Sequence, residues 1–484
     1  MRMSNNVLQE LLTEARWTQD RLARQVNALG GEIGLSLNLD RRTVSHWLAG
    51  RRPRPPLPDL IAESLSRRLG RPLSADGLGL VAPAGDGSGA GSGAAGSDGR
   101  GGAAGRAPRG ALDPLRVLEQ LSELAESGRE SELGGAYSLA DLGVLPWAAA
   151  VAAAAELPQA AAQQARGAVA AALEPVHVAG AESMARLFAD SDSFFGGGHA
   201  RTALARYLAY YVAPWLRAPG SRALRSRMLA VAAELTRLCG SMCFDDERHA
   251  LAQRYYLAAL RLAVANRDPV GYAATLGALS AQAHALGHHE QALRIARTAL
   301  AAGTAEGELP ASQRADLHAQ LAVAAAAHGD RAAALEALAR ARGLQQGGGA
   351  PGGHRSAAQA DHEAAVRTLL GDLPGGIRVL SESIRRRPPH ERRARAISLA
   401  HLAELHLDQG HLDESIAACH AFIDDCTQLH SARARSALHT LVARLRPHAA
   451  HHAARQLLAR AAAVHPGHPA HPARTPRPGR PRTL

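Results

Sequence analysis

Four segments in the second half of the chain carry a glycine at the same place in a helical pattern. They are LGHHEQALRIARTAL, HGDRAAALEALARA, LGDLPGGIRVLSES and QGHLDESIAACHAF, with glycines Gly287, Gly329, Gly371 and Gly410. Five residues after each glycine comes a small residue, in order Ala292, Ala334, Gly376 and Ser415. A glycine can turn the chain where other residues are strained, and small side chains let two helices approach closely. The pattern therefore predicts a series of antiparallel helical hairpins.

These hairpins resemble the tetratricopeptide repeat, although successive glycines are 42, 42 and 39 residues apart rather than the usual spacing of about 34. An earlier unit from Cys239 to Ala263 fits the same frame. Because one hairpin cannot bury its own apolar face, the resemblance implies a stacked solenoid with a concave ligand surface. We expect that surface around Leu279, Leu321 and Leu402. The alternative is an irregular helical domain.

The composition agrees with a helical chain. Only 3% of the residues are aromatic, so the core must be built mainly from Ala, Leu and Val, which favours packed helices over sheets. A chain of 484 residues needs more than one core. All 55 basic residues are arginine and the formal charge is +11. Since a GC-rich genome also favours arginine, the position of the charge is more informative than its sum.

Two segments have the composition of unstructured chain. Residues 81–111 are rich in Gly and Ala, which predicts a flexible linker, and residues 465–484 form a basic, Pro-rich tail. The linker contains a formal G-x-G-x-x-G at Gly91, Gly93 and Gly96, but no strand precedes it, so a dinucleotide site is rejected. A tether of this kind predicts that the parts on either side move independently.

Most aromatic residues are concentrated between Phe188 and Tyr272. Tyr207, Tyr210, Tyr211 and Trp215 recur at helical spacing and form one stripe. We expect this stripe to pack in the core, with a base-stacking platform as the alternative. The three glycines before it, in FFGGGHARTAL, are expected to form a turn, with an anion site at the helix start as the alternative.

The sequence gives no sign of secretion or of catalysis. Its start has no apolar signal region, its longest apolar run is too short to span a bilayer, and its four cysteines form no disulfide pattern. We therefore expect a cytoplasmic protein without membrane contact. His362 and Glu363 begin an H-E pair, but Val366 stands where a zinc protease motif has its second histidine. No catalytic residue, cofactor or metal site is predicted.

The N-terminal segment predicts three short helices and a closing helix at PDLIAESLSRRLG, with basic residues facing outward on the third. Thr18 and Asp40 are good N-caps for the second and third helices. On the third helix Val44, Trp47 and Leu48 share one face, and Gly50 and four following prolines end it. Residues 41–58 contain five arginines and no acid. The outward set comprises Arg41, Arg42, Ser45 and His46, followed after the helix by Arg51, Arg52 and Arg54.

An outward face of this kind suits DNA. An arginine at the start of a recognition helix can pair with the O6 and N7 atoms of guanine, and arginines beyond the helix can meet phosphates. The whole segment, WTQDRLARQVN to DRRTVSHWLAGRRPRPPLPDLIAESLSRRLG, resembles the lambda-repressor-like (XRE-type) helix-turn-helix domain. The departure from that pattern is the long turn NALGGEIGLSLN, which leaves the angle between the two helices open.

The chain is most similar to actinobacterial regulators that join such a domain to tetratricopeptide repeats and influence sporulation and antibiotic production. FGGGHARTALARYL and DDERHALAQRYYLAALRLA are also similar to the middle of those proteins. The resemblance implies that Gln19 touches a phosphate and that Arg41, Arg42, Ser45 and His46 lie in the major groove.

We therefore predict an all-α, cytoplasmic transcriptional regulator that binds double-stranded DNA and controls development or secondary metabolism. The predicted parts are a helix-turn-helix domain at 1–80, the linker at 81–111, a helical domain at 112–224, the repeats at 225–464 and the tail at 465–484. The repeats are expected to bind a protein or peptide partner or to form a homodimer. The alternative is an adaptor that has lost DNA binding, and an enzyme is a distant third.

Overall fold

The computed structural model describes residues 5–33, 35–80, 114–127, 137–139, 142, 144–155, 172–304, 309–346 and 353–464. The predicted linker and tail, at 81–111 and 465–484, lie outside these residues. The described parts of the chain are helical and contain no strand, so the prediction of an all-α fold is confirmed. None of the described helices is both long and apolar enough to cross a membrane.

The helices fall into three groups along the chain. The first group, here called the head, comprises α1 (Asn6–Glu14), α2 (Gln19–Glu32), α3 (Arg41–Leu48) and α4 (Leu57–Leu69). The middle group comprises α5 (Pro114–Ser127), α6 (Trp147–Ala155), α7 (Pro175–Phe195), α8 (Gly197–Tyr207), a π-helical turn (Leu208–Val212) and α9 (Ala213–Arg217). The third group comprises α10 (Arg222–Asp245), α11 (His249–Ala265), α12 (Pro269–Ala285), α13 (His289–Ala301), α14 (Ala311–His328), α15 (Arg331–Gln346), α16 (Gly353–Leu369), α17 (Leu373–Arg386), α18 (Arg392–Asp408), α19 (Leu412–Cys426), α20 (Ala432–Leu445) and α21 (His452–Val464).

Consecutive helices of the third group pack as hairpins. The four turn glycines have φ angles between 77° and 91°, in the left-handed region where a side chain is strained. The small residues predicted to let the helices approach, Ala292, Ala334, Gly376 and Ser415, are all buried. Ser415 Oγ donates a 2.9 Å hydrogen bond to the carbonyl oxygen of Ala403 on the facing helix. The glycine pattern therefore identified the hairpin turns correctly.

The three leucines expected at the ligand surface pack into the core. Leu279 and Leu402 are buried in the hydrophobic core, and Leu321 is partly buried against it. Because leucines at these positions hold neighbouring helices together, they are not available to a ligand. A ligand surface on the first helices of the units stays a prediction, but these leucine side chains do not form it.

The stack of hairpins closes on itself. Helix α7 of the middle group packs against both α10, the first helix of the stack, and α18, near the end of the stack. Arg393 on α18 donates a 2.9 Å hydrogen bond to the Asp192 carboxylate on α7. Ser431, the N-cap of α20, donates a 3.0 Å bond to Asp245 at the end of α10. These contacts join residues about two hundred positions apart in the sequence.

The three glycines at the beginning of α8, Gly196 to Gly198, form this junction. A side chain at Gly197 would lie 2.4 Å from the carbonyl oxygen of Met242, and one at Gly198 would lie 2.8 Å from that of His430. The amide of Gly197 donates to Asp245, and the amide of Gly198 donates to the carbonyl of His430. The glycines therefore allow three chain segments to meet, as the expected turn implies, and their amides are already satisfied by protein groups.

The aromatic stripe is only partly buried. Tyr207 and Trp215 are half-buried, but Tyr210 and Tyr211 are 57% and 55% exposed. The π-helical turn contains both exposed tyrosines, and a turn of this type shifts the side chains that follow it around the helix axis. The prediction that the whole stripe packs in the core is wrong for Tyr210 and Tyr211.

Candidate nucleic-acid interface

Helix α3 is held in place from both ends. The Asp40 carboxylate accepts hydrogen bonds from the Thr43 amide at 2.8 Å and from the Thr43 hydroxyl at 2.7 Å. These bonds, and to a smaller extent the Arg42 guanidinium, keep the pKa of Asp40 below its usual range. Val44 and Trp47 are buried beneath the helix, and Gly50, with a φ of 86°, ends it. The helix therefore presents one fixed face outward.

That face carries the predicted DNA-contacting residues. Arg41, Arg42 and His46 are exposed, and Ser45 is half-buried at the edge. The Ser45 hydroxyl lies 2.6 Å from the side-chain oxygen of Gln19, the first residue of α2, and donates to it. This bond joins the two helices where their outward faces meet. The structure thus brings Gln19, the residue implied by resemblance, next to the residues predicted from the pattern.

The three arginines beyond the helix are also exposed. Arg51, Arg52 and Arg54 lie in the segment between α3 and α4, which is anchored by the buried Pro53 and Pro58. Among the described residues, no carboxylate forms a salt bridge with these three or with Arg41 and Arg42. All five guanidinium groups are therefore available to a polyanion.

The connection between α2 and α3 is shorter than predicted. Helix α2 continues to Glu32, so half of the expected turn NALGGEIGLSLN is helical. The Asn27 side chain then fixes the returning segment, because it accepts a 2.9 Å bond from the Leu39 amide and donates a 3.0 Å bond to the Leu39 carbonyl. Gly30 leaves room for Leu37, which a side chain there would meet at 2.5 Å. These contacts set the helix angle that the sequence left open.

On another side of the head, an ionic cluster of one buried and two half-buried side chains joins α2 to α4. Arg67 donates two hydrogen bonds to the Glu32 carboxylate, at 2.7 and 2.9 Å, and a third to Glu63 at 2.8 Å. Burial alone would lower the pKa of Arg67, but the two carboxylates raise it above its usual value. Burial raises the pKa of Glu32, and the Arg67 guanidinium opposes that rise. The three side chains form one mutually dependent unit.

This cluster continues into the hairpins. His288, in the turn between α12 and α13, donates from Nε2 to the Glu63 carboxylate at 3.0 Å, and both side chains are buried. The Tyr137 ring stacks on the His288 ring with centroids 5.5 Å apart and planes at 13°. Burial, and to a smaller extent the Glu63 carboxylate, raises the pKa of Tyr137. We refer to Glu32, Glu63, Arg67, Tyr137 and His288 as the docking cluster.

Apolar and backbone contacts complete the interface. Ala250 on α11 is buried within the hydrophobic cluster of the head. A side chain at Gly287 would lie 3.0 Å from the carbonyl oxygen of Arg67. Next to this contact, burial and then the nearby Arg67 and Arg433 lower the pKa of His249 to about 3. The expectation that the head moves independently of the repeats is therefore wrong, because the head is seated on α11 and on the turn before α13.

The docking leaves the DNA face open. It uses α4 and the end of α2, whereas Arg41, Arg42 and His46 on α3 remain exposed. Sequence reasoning missed the docking cluster. A local signal was the i, i+4 spacing of Glu63 and Arg67 on α4.

Comparison with known families gives one match within the chain. Residues 8–81 match the family model described as the SP15 N-terminal domain. The match covers 74 of the 484 residues, and it corresponds to the head together with the segment that follows α4. No curated protein matches the chain. The head is thus similar to the SP15 N-terminal domain.

Proposed function

We propose that the chain is a DNA-binding transcriptional regulator that acts in the cytoplasm and controls development or secondary metabolism. The observation that carries the proposal is the outward face of α3, where Arg41, Arg42 and His46 are exposed on a helix whose opposite face is buried. In this proposal α3 enters the major groove, and the head is a helix-turn-helix domain of the XRE type.

The chemistry of the face suits this role. A guanidinium can donate two hydrogen bonds to one guanine, which gives Arg41 and Arg42 the means to select a base. The bond from Ser45 uses the oxygen of the Gln19 amide, so the NH₂ group, which has no acceptor among the described residues, can meet a phosphate. Arg51, Arg52 and Arg54 extend the positive surface beyond the helix and would neutralise phosphates without reading sequence.

Docking of the head on the hairpins matters for the proposal because it fixes the orientation of the head. In this proposal the hairpins bind a partner or a second copy of the chain, and the docking cluster gives each head a set orientation on its hairpins. Two heads held by self-association would then face DNA at a defined spacing, as dimeric helix-turn-helix proteins do. Binding both half-sites raises the affinity without any new contact per head.

Fluorescence anisotropy with a library of duplexes tests the proposal. The full-length protein should bind duplex DNA with an affinity that falls steeply as salt rises, because bound arginines release counterions. Arg42→Ala and His46→Ala should relax base preference and cost about 1–3 kcal/mol per lost base contact. Arg54→Ala should lower the affinity for duplexes of all sequences by the same factor.

Arg340→Ala is the matched control, since it removes the same charge from the exposed surface of α15. If the protein fails to bind duplex DNA even at low salt, the adaptor alternative replaces this proposal. If Arg42→Ala and Arg54→Ala have the same effect on every sequence, α3 is not the reading helix.

A further inference from the structure

A cavity opens between two neighbouring hairpins. It has a volume of about 390 Å³ and lies between α15 and α17, with α14 and α16 beneath it. Its apolar lining comes from Ala319 on α14, Leu338 and Ala341 on α15, Ala360 on α16 and Val379 on α17. A volume of this size and an apolar floor are typical of sites for small molecules.

The wall of the cavity carries more positive than negative charge. Four arginines line it, Arg342, Arg378, Arg385 and Arg386, against two carboxylates, Glu363 and Glu382. The four arginines lie on α15 and α17, on opposite sides of the opening.

Each carboxylate is already shared between two guanidinium groups. Glu363 accepts from Arg367 Nε at 2.9 Å and also from Arg342, and Glu382 pairs with both Arg385 and Arg386. Burial would raise the pKa of Glu363, but its hydrogen bonds from Arg342 and Arg367 lower it overall. These carboxylates therefore stay ionised, and they hold the guanidinium groups in place without cancelling the excess charge.

Two polar groups at the cavity have no partner that holds them. Arg378 is exposed at the rim, and no carboxylate among the described residues forms a salt bridge with it. The side-chain nitrogen of Gln345, which also lines the cavity, is buried and donates to no acceptor within the described part of the chain. A buried donor without an acceptor is costly unless a ligand or water satisfies it.

We propose that this cavity binds a small ligand with an apolar body and at least two anionic oxygens, as carboxylate or phosphate groups. The apolar body lies on Leu338 and Val379, and the anionic groups bridge Arg342 on α15 and Arg378 on α17. Arginine suits this task because its planar fork can donate two hydrogen bonds to one carboxylate or phosphate. The inference deepens the proposed function, because it gives the hairpins a ligand class and a site.

The ligand would act as a clamp between hairpins. Its two ends contact helices that belong to successive units, α14 with α15 and α16 with α17. Occupancy therefore favours one separation of these units over others, and a ligand shifts a conformational equilibrium only through such differential contacts.

Isothermal titration of the full-length protein with model compounds tests the inference. The probes are 1-naphthyl phosphate, 2,6-naphthalenedicarboxylate and the neutral 2-naphthalenemethanol, all at a constant ionic strength of about 0.15 M to suppress non-specific binding. At least one anionic probe should bind more tightly than the neutral one. Whether the phosphate or the dicarboxylate binds more tightly identifies the natural anionic group.

Arg342→Ala and Arg378→Ala should each lower the affinity for the anionic probe by about tenfold or more, the equivalent of about 1.4 kcal/mol. Arg340 lies on the same helix α15, pairs with Glu336 and does not line the cavity. The Arg340→Ala variant should therefore bind the probe as the unaltered protein does.

Three results would overturn the proposal: neither anionic probe binds, the neutral probe binds equally well, or Arg340→Ala weakens binding as much as the cavity variants. A DNA titration separates this proposal from the function of the head. Arg378→Ala should leave DNA affinity unchanged, and a loss of DNA affinity would mean that the cavity wall is part of a DNA surface.

Discussion

Replacing His288 by alanine should release the head from the hairpins. The substitution removes the 3.0 Å hydrogen bond to the Glu63 carboxylate and the ring that Tyr137 stacks on. A hydrogen bond to a charged group contributes about 1.5–3 kcal/mol when both partners are buried. Since about 1.4 kcal/mol is a factor of ten, the ratio of docked to undocked heads should fall by about ten to a hundredfold.

The head itself should remain folded in this variant. Glu63 keeps its 2.8 Å bond from Arg67, and Arg67 keeps both bonds to Glu32. Arg67→Ala is a different perturbation, because it leaves the buried Glu63 and the half-buried Glu32 without their guanidinium. That loss should cost about 3–5 kcal/mol and unfold the head as well as undock it.

Hydrogen exchange measured by mass spectrometry can follow the release. In His288→Ala the amides of α4 and of the turn before α13 should exchange faster, whereas those of α3 should not change. His289→Ala is the matched control, because its ring contacts His284 and makes no bond to the head. If exchange in α4 is the same in both variants and in the unaltered protein, the docking cluster does not hold the head. If exchange also rises in α3, the variant has unfolded the head, and the expectation that the undocked head stays folded is wrong.

The remaining predictions concern stability and reactivity. The pKa of His249 is about 3 in the folded protein and about 6.5 in the unfolded chain, so protons bind preferentially to the unfolded chain. The free energy of unfolding should therefore fall as the pH drops below about 6.5. For this group the fall is up to about 1.4 kcal/mol per pH unit. Urea titrations from pH 7.5 to 5 should show a smaller loss for His249→Gln, and equal losses would contradict the assignment. Burial raises the pKa of Cys419 to about 12 and of Cys426 to about 11. Both thiols should therefore react with a disulfide reagent at pH 8 only after denaturant is added. Fast reaction in the native protein would refute this. Gly197→Ala should lower the unfolding free energy by at least about 1–3 kcal/mol through overpacking, whereas Gly180→Ala, whose side chain meets nothing within 4 Å, should be neutral or slightly stabilising in the same thermal melts.

Local features of the fold were predictable because their physical causes are local. A left-handed turn needs glycine, so the glycine pattern identified the hairpin turns at Gly287, Gly329, Gly371 and Gly410. An N-cap needs a short polar side chain, so Asp40 marked the beginning of α3. The buried face of α3 followed from the spacing of Val44 and Trp47 in the same way.

The features that were missed depend on contacts between distant parts of the chain. Nothing in the local pattern indicates that Glu63 meets His288, which is 225 residues away. The exposure of Tyr210 and Tyr211 depends on a π-helical turn, which helical periodicity does not encode. The length of α2 was missed because two glycines near its end suggested a break, whereas Leu37 packs on Gly30 and tolerates no side chain there.

The closure of the hairpin stack changes how the molecule should unfold. In an open solenoid the terminal units have only one neighbour, so they fray first and unfolding spreads inward. Here α7 lies against α18, and Asp192 and Asp245 bind partners from the far end of the stack. The units between α10 and α18 therefore have a neighbour on each side, and none of them can open without breaking two interfaces. These units should therefore unfold together in one cooperative transition. Replacing Arg393 by alanine, which removes its bond to Asp192, should divide that transition into several partial unfolding steps.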